Sequence, residues 1–203
     1  MPRRIERYRA IFETLGQPAR GSIFRGVPLK YRRSPLSAIG SINKGGRYNQ
    51  KGAFEMLYFA NDGDTVLRET RIVKYDAGGA PITVPTRPYV LISLHYDVSH
   101  LVDLTDADVQ EALKLDDNVL KGEWEVDILN GKKPLTQDIG HAARAAGIEA
   151  IIVPSARNPG YKNTNFIVDQ LLETSSIWIH DADGFDHEAV IAIRGTKKKR
   201  TDR

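Results

Sequence analysis

The sequence predicts an α+β fold in which two small packed β-sheets are flanked by helices. Short apolar segments with strand character are numerous, and most of them follow one another without an intervening helix. A doubly wound parallel sheet needs strands that alternate with helices, so the pattern disfavours that architecture. The chain contains no internal repeat.

Elements of the first half are predicted from apolar periodicity and turn signals. Apolar side chains at helical spacing predict a helix over Arg3–Leu15. A long irregular loop rich in Ser, Gly and Lys is expected over 30–46, and a second helix over 62–73. Strands are expected at 22–27, 55–60 and 89–96, with a brief extended piece at 101–104.

The second half is predicted to contain two helices and four strands. Thr105 is expected to cap a helix that runs to Leu113, with Asp108 in its first turn. Another helix is expected to begin at Thr136 and to end at Gly147. Strands are expected at 149–154, 165–169, 175–180 and 188–194.

Length and composition favour one globular domain. The chain has 203 residues, of which 41% are hydrophobic, and this content is enough for one sizeable core. We expect a single domain over 1–194, with a helical N-terminal extension at 1–20. A basic, mobile tail is expected at 195–203.

Residue content also disfavours several classes of protein. Without cysteine the chain can form neither a disulfide framework nor a thiolate metal site, and five scattered histidines do not suggest zinc. No stretch approaches the about 20 apolar residues of a membrane span, and the charged N-terminus lacks the apolar run of a secretion signal. A cytoplasmic protein without a metal or a membrane contact is expected.

Charge is concentrated at the C-terminus. The net charge is +3, yet residues 194–203 alone carry +5, so the other residues sum to −2. Binding to nucleic acid would need a basic face on the folded body itself. No direct contact with nucleic acid is therefore expected.

The segment GGRYNQKG at 45–52 predicts a contact with an anion. Two glycines precede Arg47, so the backbone can turn tightly and approach a ligand, while the guanidinium can bind a pair of phosphate oxygens. Asn49 is a second candidate for substrate binding. The nucleotide patterns GxxxxGK[ST] and GxGxxG are both absent. A surface arginine in a hairpin turn is the structural alternative.

Three more polar residues lie at strand or helix positions where a site could form. Tyr58 lies in the apolar segment MLYFA, Glu69 lies in the predicted helix over 62–73, and Ser155 directly follows the apolar segment IIVP. Ligands often bind at strand ends. A core tyrosine and an exposed helix glutamate are the structural alternatives. Since no GxSxG surrounds Ser155, a hydrolase nucleophile is not predicted, and His141 is expected to be a surface or partly buried residue.

Read together and in order, six segments match one pattern: FRG at 24–26, GGRYNQKG at 45–52, LYFA at 57–60, the glutamate of LRET at 67–70, AARAAGIEAIIVPSARNPG at 142–160 and NTNFIVD at 163–169. The chain thereby resembles the RES-domain family, the toxin half of bacterial RES–Xre toxin–antitoxin pairs, over roughly residues 23–169. It departs from a minimal member in its N-terminal extension and in a longer, more charged segment at 98–136. Those segments are candidates for partner binding.

The resemblance implies an ADP-ribosyltransferase-like fold with NAD as substrate, cleaved at the nicotinamide–ribose bond, and with phosphate or water as acceptor. It implies that Glu69 stabilises the oxocarbenium-like transition state. Arg47 would bind the pyrophosphate with Arg25 as a second basic contact, and Tyr58 would border the nicotinamide ring. Ser155 would bind the ribose or nicotinamide side, or orient the glutamate.

Two other classes stay open from sequence. A protein mono-ADP-ribosyltransferase would share the site and differ in its acceptor, whereas a non-enzymatic nucleic-acid or partner-binding module would use the basic tail. The resemblance also implies a partner, a cognate Xre-family helix-turn-helix antitoxin.

Overall fold

The computed structural model describes residues 2–83, 87–183 and 192–198. The α-helices in these ranges are α1 (Arg3–Leu15), α2 (Ile39–Lys44), α3 (Gly63–Glu69), α4 (Ala107–Leu113), α5 (Asp117–Lys121), α6 (Trp124–Leu129) and α7 (Leu135–Ala145). The strands are β1 (Gln17–Pro28), β2 (Met56–Ala60), β3 (Val73–Tyr75), β4 (Pro81–Thr83), β5 (Tyr89–Asp103), β6 (Ala150–Pro154), β7 (Lys162–Ile167), β8 (Ser176–Ile179) and β9 (Ala192–Arg194). No described helix is both long and apolar enough to cross a membrane.

Seven strands form one strongly curved sheet in the order β1-β2-β7-β6-β5-β8-β9. Because β1 also pairs with β5 along most of its length, β1, β2, β7, β6 and β5 close into a ring. The layer of β1, β5, β8 and β9 thus packs against the layer of β2, β7 and β6. The predicted α+β fold with packed sheets is confirmed, and the two layers are joined at both edges. Strands β3 and β4 form a separate hairpin.

The two faces of the β2–β7–β6 layer belong to two apolar clusters. On β6, Ile151 packs in the cluster shared with the helices, while Ala150 and Ile152 belong to the cluster between the layers. On β2, Tyr58 packs against the cluster shared with the helices, and Leu57 belongs to the cluster between the layers. The alternation follows from the two-residue period of a strand, and it places the Tyr58 side chain on the helix-facing side of the layer.

Several predicted elements have other bounds in the structure. The helix expected over 62–73 is α3, which ends at Glu69, and the loop expected over 30–46 contains α2. The pieces expected at 89–96 and 101–104 are one strand, β5, because β1 and β8 pair with the residues between them. The strand expected at 165–169 is β7, which begins at Lys162.

The helix caps also test the sequence reasoning. The prediction that Thr105 caps α4 is wrong: the Asp106 carboxylate accepts the backbone N–H of Asp108, and the Thr105 hydroxyl donates to Asp103 instead. The predicted end of α7 is confirmed. Gly147 has φ 80°, and Ile148 N–H donates to the carbonyl of Ala143, which closes the helix.

The described residues nearest the two ends of the chain contact the domain. Helix α1, predicted over the same residues, packs against α7, and Arg4 forms an ion pair with the buried Asp138. At the other end, Lys197 N–H donates to the carbonyl of Leu171 at 3.2 Å, so the hydrogen-bonded chain extends past the expected boundary at 194. Of the predicted tail, residues 199–203 lie outside the described residues, as do residues 188–191 of the last predicted strand.

Candidate functional site

A cleft of about 750 Å³ opens between α3, the ends of β6 and β7, and the loop that precedes β2. Four of the predicted site residues line it: Arg25, Arg47, Tyr58 and Glu69. Ser155 and Asn49 are buried and do not line it. The structure therefore brings residues from distant parts of the sequence to one site, with two of them behind its wall.

Glu69 is held on the cleft wall by hydrogen bonds to one carboxylate oxygen. It is the last residue of α3, a helix that begins at the Asp62 cap. Ser155 Oγ and Asn163 Nδ2 both donate to Glu69 Oε1, each at 2.8 Å. Arg157 Nε lies 3.6 Å from the other oxygen, Oε2, and the Glu69 side chain is 31% exposed. The carboxylate is thus fixed in direction, while Oε2 accepts no hydrogen bond from any described residue.

Ser155 orients Glu69 from behind the cleft. Its side chain is buried, and its hydroxyl accepts the backbone N–H groups of Arg157 at 3.2 Å and Asn158 at 3.0 Å while it donates to Glu69. Its one proton and both lone pairs are in use. Of the two roles expected for Ser155, orientation of the glutamate fits this geometry, and a direct substrate contact does not.

Arg47 is held by two backbone carbonyls at the end of α5. Gly45 has φ 75°, the left-handed conformation that the two glycines of GGRYN predict. Arg47 Nη1 donates to the carbonyls of Leu120, at 3.3 Å, and Gly122. No carboxylate among the described residues forms an ion pair with Arg47, so its charge is available to an anion in the cleft.

Tyr58 lines the cleft with its ring, while its hydroxyl is hydrogen bonded inside the protein. The hydroxyl donates to Asn49 Oδ1 at 2.7 Å and accepts the backbone N–H of Tyr48 at 3.2 Å. Burial raises the pKa of Tyr58, so its phenol is neutral at physiological pH. The residue offers a ring surface and does not act as an acid or base.

Asn49 has a structural role instead of the predicted contact with substrate. Its side chain is fully buried, and its amide Nδ2 donates to the carbonyls of Ser41, at 2.9 Å, and Phe54, at 3.1 Å. The Asn49 oxygen Oδ1 accepts a hydrogen bond from the Tyr58 hydroxyl, so the amide connects the loop before β2 to β2 itself. The contact predicted for Asn49 is therefore wrong.

Arg25 presents an unpartnered donor. Its Nη2 donates to the Ser37 carbonyl at 3.1 Å, and its guanidinium lies 5.5 Å from the centre of the Phe59 ring. Its Nη1 is buried and has no hydrogen-bond partner among the described residues. Burial lowers the pKa of Arg25 to about 10, which leaves it charged at neutral pH. A partly buried cation with an unused, buried donor favours an anionic ligand.

Sequence reasoning missed two asparagines of β7. Asn163 and Asn165 are two residues apart, so both side chains lie on the face of β7 that lines the cleft. Asn163 binds Glu69, and the Oδ1 atoms of both residues have no hydrogen-bond partner in the described chain. The alternating NTN in an apolar strand was a usable signal, but the predicted strand began after Asn163.

The remaining predicted residues lie outside this cleft. His141 is partly buried, as expected, with its ring 5.3 Å from that of Phe54 in an edge-on contact. Within the described residues, no group of three or more His, Asp or Glu side chains is placed to hold a metal ion.

The chain is similar to known proteins both in sequence and in fold. The family model described as "RES domain" matches residues 22–173, which contain every predicted site residue. A chain of the crystal structure of the M. tuberculosis MbcT–MbcA toxin–antitoxin complex has the same fold, with a TM-score of 0.51, 20% identity and 80% of each chain covered. The curated proteins contain no significant match.

Proposed function

Because the chain belongs to the RES-domain family, we propose that it is the toxin of a toxin–antitoxin pair and that it consumes NAD in the cytoplasm by cleaving the nicotinamide–ribose bond. ADP-ribose then passes to phosphate or water. One observation carries the proposal: a glutamate oriented by a buried serine and an asparagine lies in the same cleft as two arginines that form no ion pair with an acidic residue of the described chain.

Two arginines suit the pyrophosphate of NAD. Arg47 has no acidic partner in the described chain, and Arg25 Nη1 has no hydrogen-bond partner there. Guanidinium groups form charge-assisted hydrogen bonds with phosphate oxygens, which are stronger than bonds between neutral groups. The pyrophosphate would supply an anionic partner for Arg47 and an acceptor for Arg25 Nη1.

Glu69 suits the bond-breaking step. The bond between C1′ and the pyridinium nitrogen breaks, and its electron pair neutralises the nicotinamide ring. Positive charge then develops on the ribose, and a fixed carboxylate stabilises it. Since Ser155 and Asn163 both bind Oε1, the oxygen Oε2 is the one left to face the sugar. A phosphate or water oxygen then bonds to C1′, and water loses a proton.

Release of nicotinamide by the purified protein tests this function. We expect release of nicotinamide from NAD with no other protein present. If the ADP-ribose product changes when phosphate is added, phosphate is the acceptor; if it does not change, water is the acceptor. Glu69→Gln, in which release should be much slower, serves as the control. A folded protein that releases nicotinamide only when a target protein is added, and labels that protein with ADP-ribose, would be a protein ADP-ribosyltransferase instead.

The proposed partner is a cognate Xre-family antitoxin. An enzyme that drains a central cofactor harms its own cell, so it requires a tight inhibitor. Arg25 and Arg47, which both line the cleft, suit an acidic or carboxylate-terminated segment of that inhibitor. An NAD analogue should then compete with the antitoxin. If the analogue binds the preformed complex as well as it binds the free protein, inhibition acts elsewhere, for instance at segment 98–136.

A further inference from the structure

Trp124 lines the cleft without being part of the hydrophobic core. It is the first residue of α6, it is half-buried, and it belongs to neither apolar cluster of the described chain. Its ring also makes no ring–ring or cation–ring contact with another described residue. A large aromatic ring on a cleft wall offers a flat apolar surface to a ligand.

The position of Trp124 is coupled to that of Arg47. Trp124 N–H donates to the Gly122 carbonyl at 2.9 Å, and Arg47 Nη1 donates to the same oxygen. The buried hydroxyl of Tyr48 donates to the Leu120 carbonyl at 3.2 Å and fixes the preceding turn. One short stretch of backbone therefore positions both the Arg47 guanidinium and the first residue of α6, which is Trp124.

We propose that Trp124 forms the base-binding wall of the cleft and stacks on the adenine ring of the dinucleotide. The inference rests on the proposed function, in which Glu69 lies beside the nicotinamide riboside and Arg47 holds the pyrophosphate. The pyrophosphate of NAD joins two nucleosides, and Glu69 already lies at the one that carries nicotinamide. The ring left to contact Trp124, near the pyrophosphate-binding Arg47, is therefore adenine. Stacking tolerates any planar base, so it supplies affinity with little hydrogen-bond selectivity.

The tryptophan content of the chain makes the inference testable by fluorescence. The chain has two tryptophans, and the other, Trp178, lies on β8 outside the cleft lining. Trp178→Phe therefore leaves Trp124 as the only tryptophan. Titration of this protein with AMP, ADP-ribose, nicotinamide mononucleotide and ribose 5-phosphate should give saturable quenching with AMP and ADP-ribose.

Affinity is then measured by calorimetry in Trp124→Leu, which keeps an apolar side chain but loses the aromatic face. The Kd for AMP should rise about tenfold or more, the scale of one lost base–aromatic stack, while Trp124→Phe should restore most of the affinity. The Kd for ribose 5-phosphate should not change. Circular dichroism checks that each variant is folded.

Two results would overturn the inference. One is an unchanged AMP affinity in folded Trp124→Leu, and the other is a loss confined to nicotinamide mononucleotide, which would place the indole on the nicotinamide ring. Either result leaves NAD cleavage by the parent protein intact. If the parent releases no nicotinamide from NAD under any condition, the proposed function itself fails, whatever the fluorescence shows.

Discussion

Replacing Glu69 by glutamine removes one negative charge from the cleft and keeps the shape of the side chain. The amide oxygen of glutamine can accept the two hydrogen bonds that Ser155 Oγ and Asn163 Nδ2 now donate to Oε1. The buried serine and its loop therefore keep their hydrogen-bond partners. The substitution isolates the charge from the packing.

Two different magnitudes follow for catalysis and for stability. Loss of one electrostatic contact made in the transition state costs about 100-fold to 1,000-fold in kcat. The ion pair with Arg157 is long, at 3.6 Å, and joins side chains that are 31% and 42% exposed, so its loss costs at most about 1 kcal/mol of folding free energy. We expect a folded variant with kcat lowered by about 100-fold or more and KM nearly unchanged.

Nicotinamide release at varied NAD gives kcat and KM, and urea unfolding gives the stability of the same preparation. Glu6→Gln is the matched control, because Glu6 lies on α1 outside the cleft lining and also pairs with an arginine, Arg9, at 2.6 Å. Its turnover should match that of the parent. A folded Glu69→Gln protein with near-native turnover would refute the role assigned to the carboxylate.

Three further substitutions test other parts of the structure. Ser155→Ala should lower kcat about tenfold or more, since Glu69 keeps only one of its hydrogen bonds, and should cost about 1–3 kcal/mol in urea unfolding because backbone N–H groups lose a buried acceptor. Arg47→Lys should raise the KM for NAD, since an ammonium cannot replace the planar fork, and initial rates showing an unchanged KM would contradict a pyrophosphate contact. Burial lowers the pKa of His141 below 6.5, so the unfolded chain binds more protons and the histidine costs stability as the pH falls through 6.5. The free energy of unfolding relative to His141→Gln should therefore decrease between about pH 7.5 and about pH 5.5, and a constant difference would contradict that shift.

Local signals in the sequence located most of the secondary structure. Helical spacing predicted α1, and a glycine that can adopt positive φ predicted the end of α7. Both features depend on residues within one or two turns of each other. The continuous β5 was not predicted, because the residues between its two parts are held extended by pairing with distant strands.

The chemistry of the site was likewise predicted in part. Arg25, Arg47, Tyr58 and Glu69 were assigned to the site from motifs that resemble those of the RES-domain family, and all four line the cleft. Asn49 was misassigned, because its neighbours in sequence do not reveal that its amide is saturated inside the protein.

The sequence by itself determined the family, the α+β class and the residue types of the cleft, because these depend on composition, short motifs and local periodicity. Only the tertiary structure decided which polar groups meet. Asn163 and Ser155 reach Glu69 across 94 and 86 residues of sequence, and the Gly122 carbonyl accepts from both Arg47 Nη1 and the Trp124 backbone N–H. Such contacts form only when the sheet closes and its loops pack. They depend on many residues at once, so no local sequence pattern predicts them.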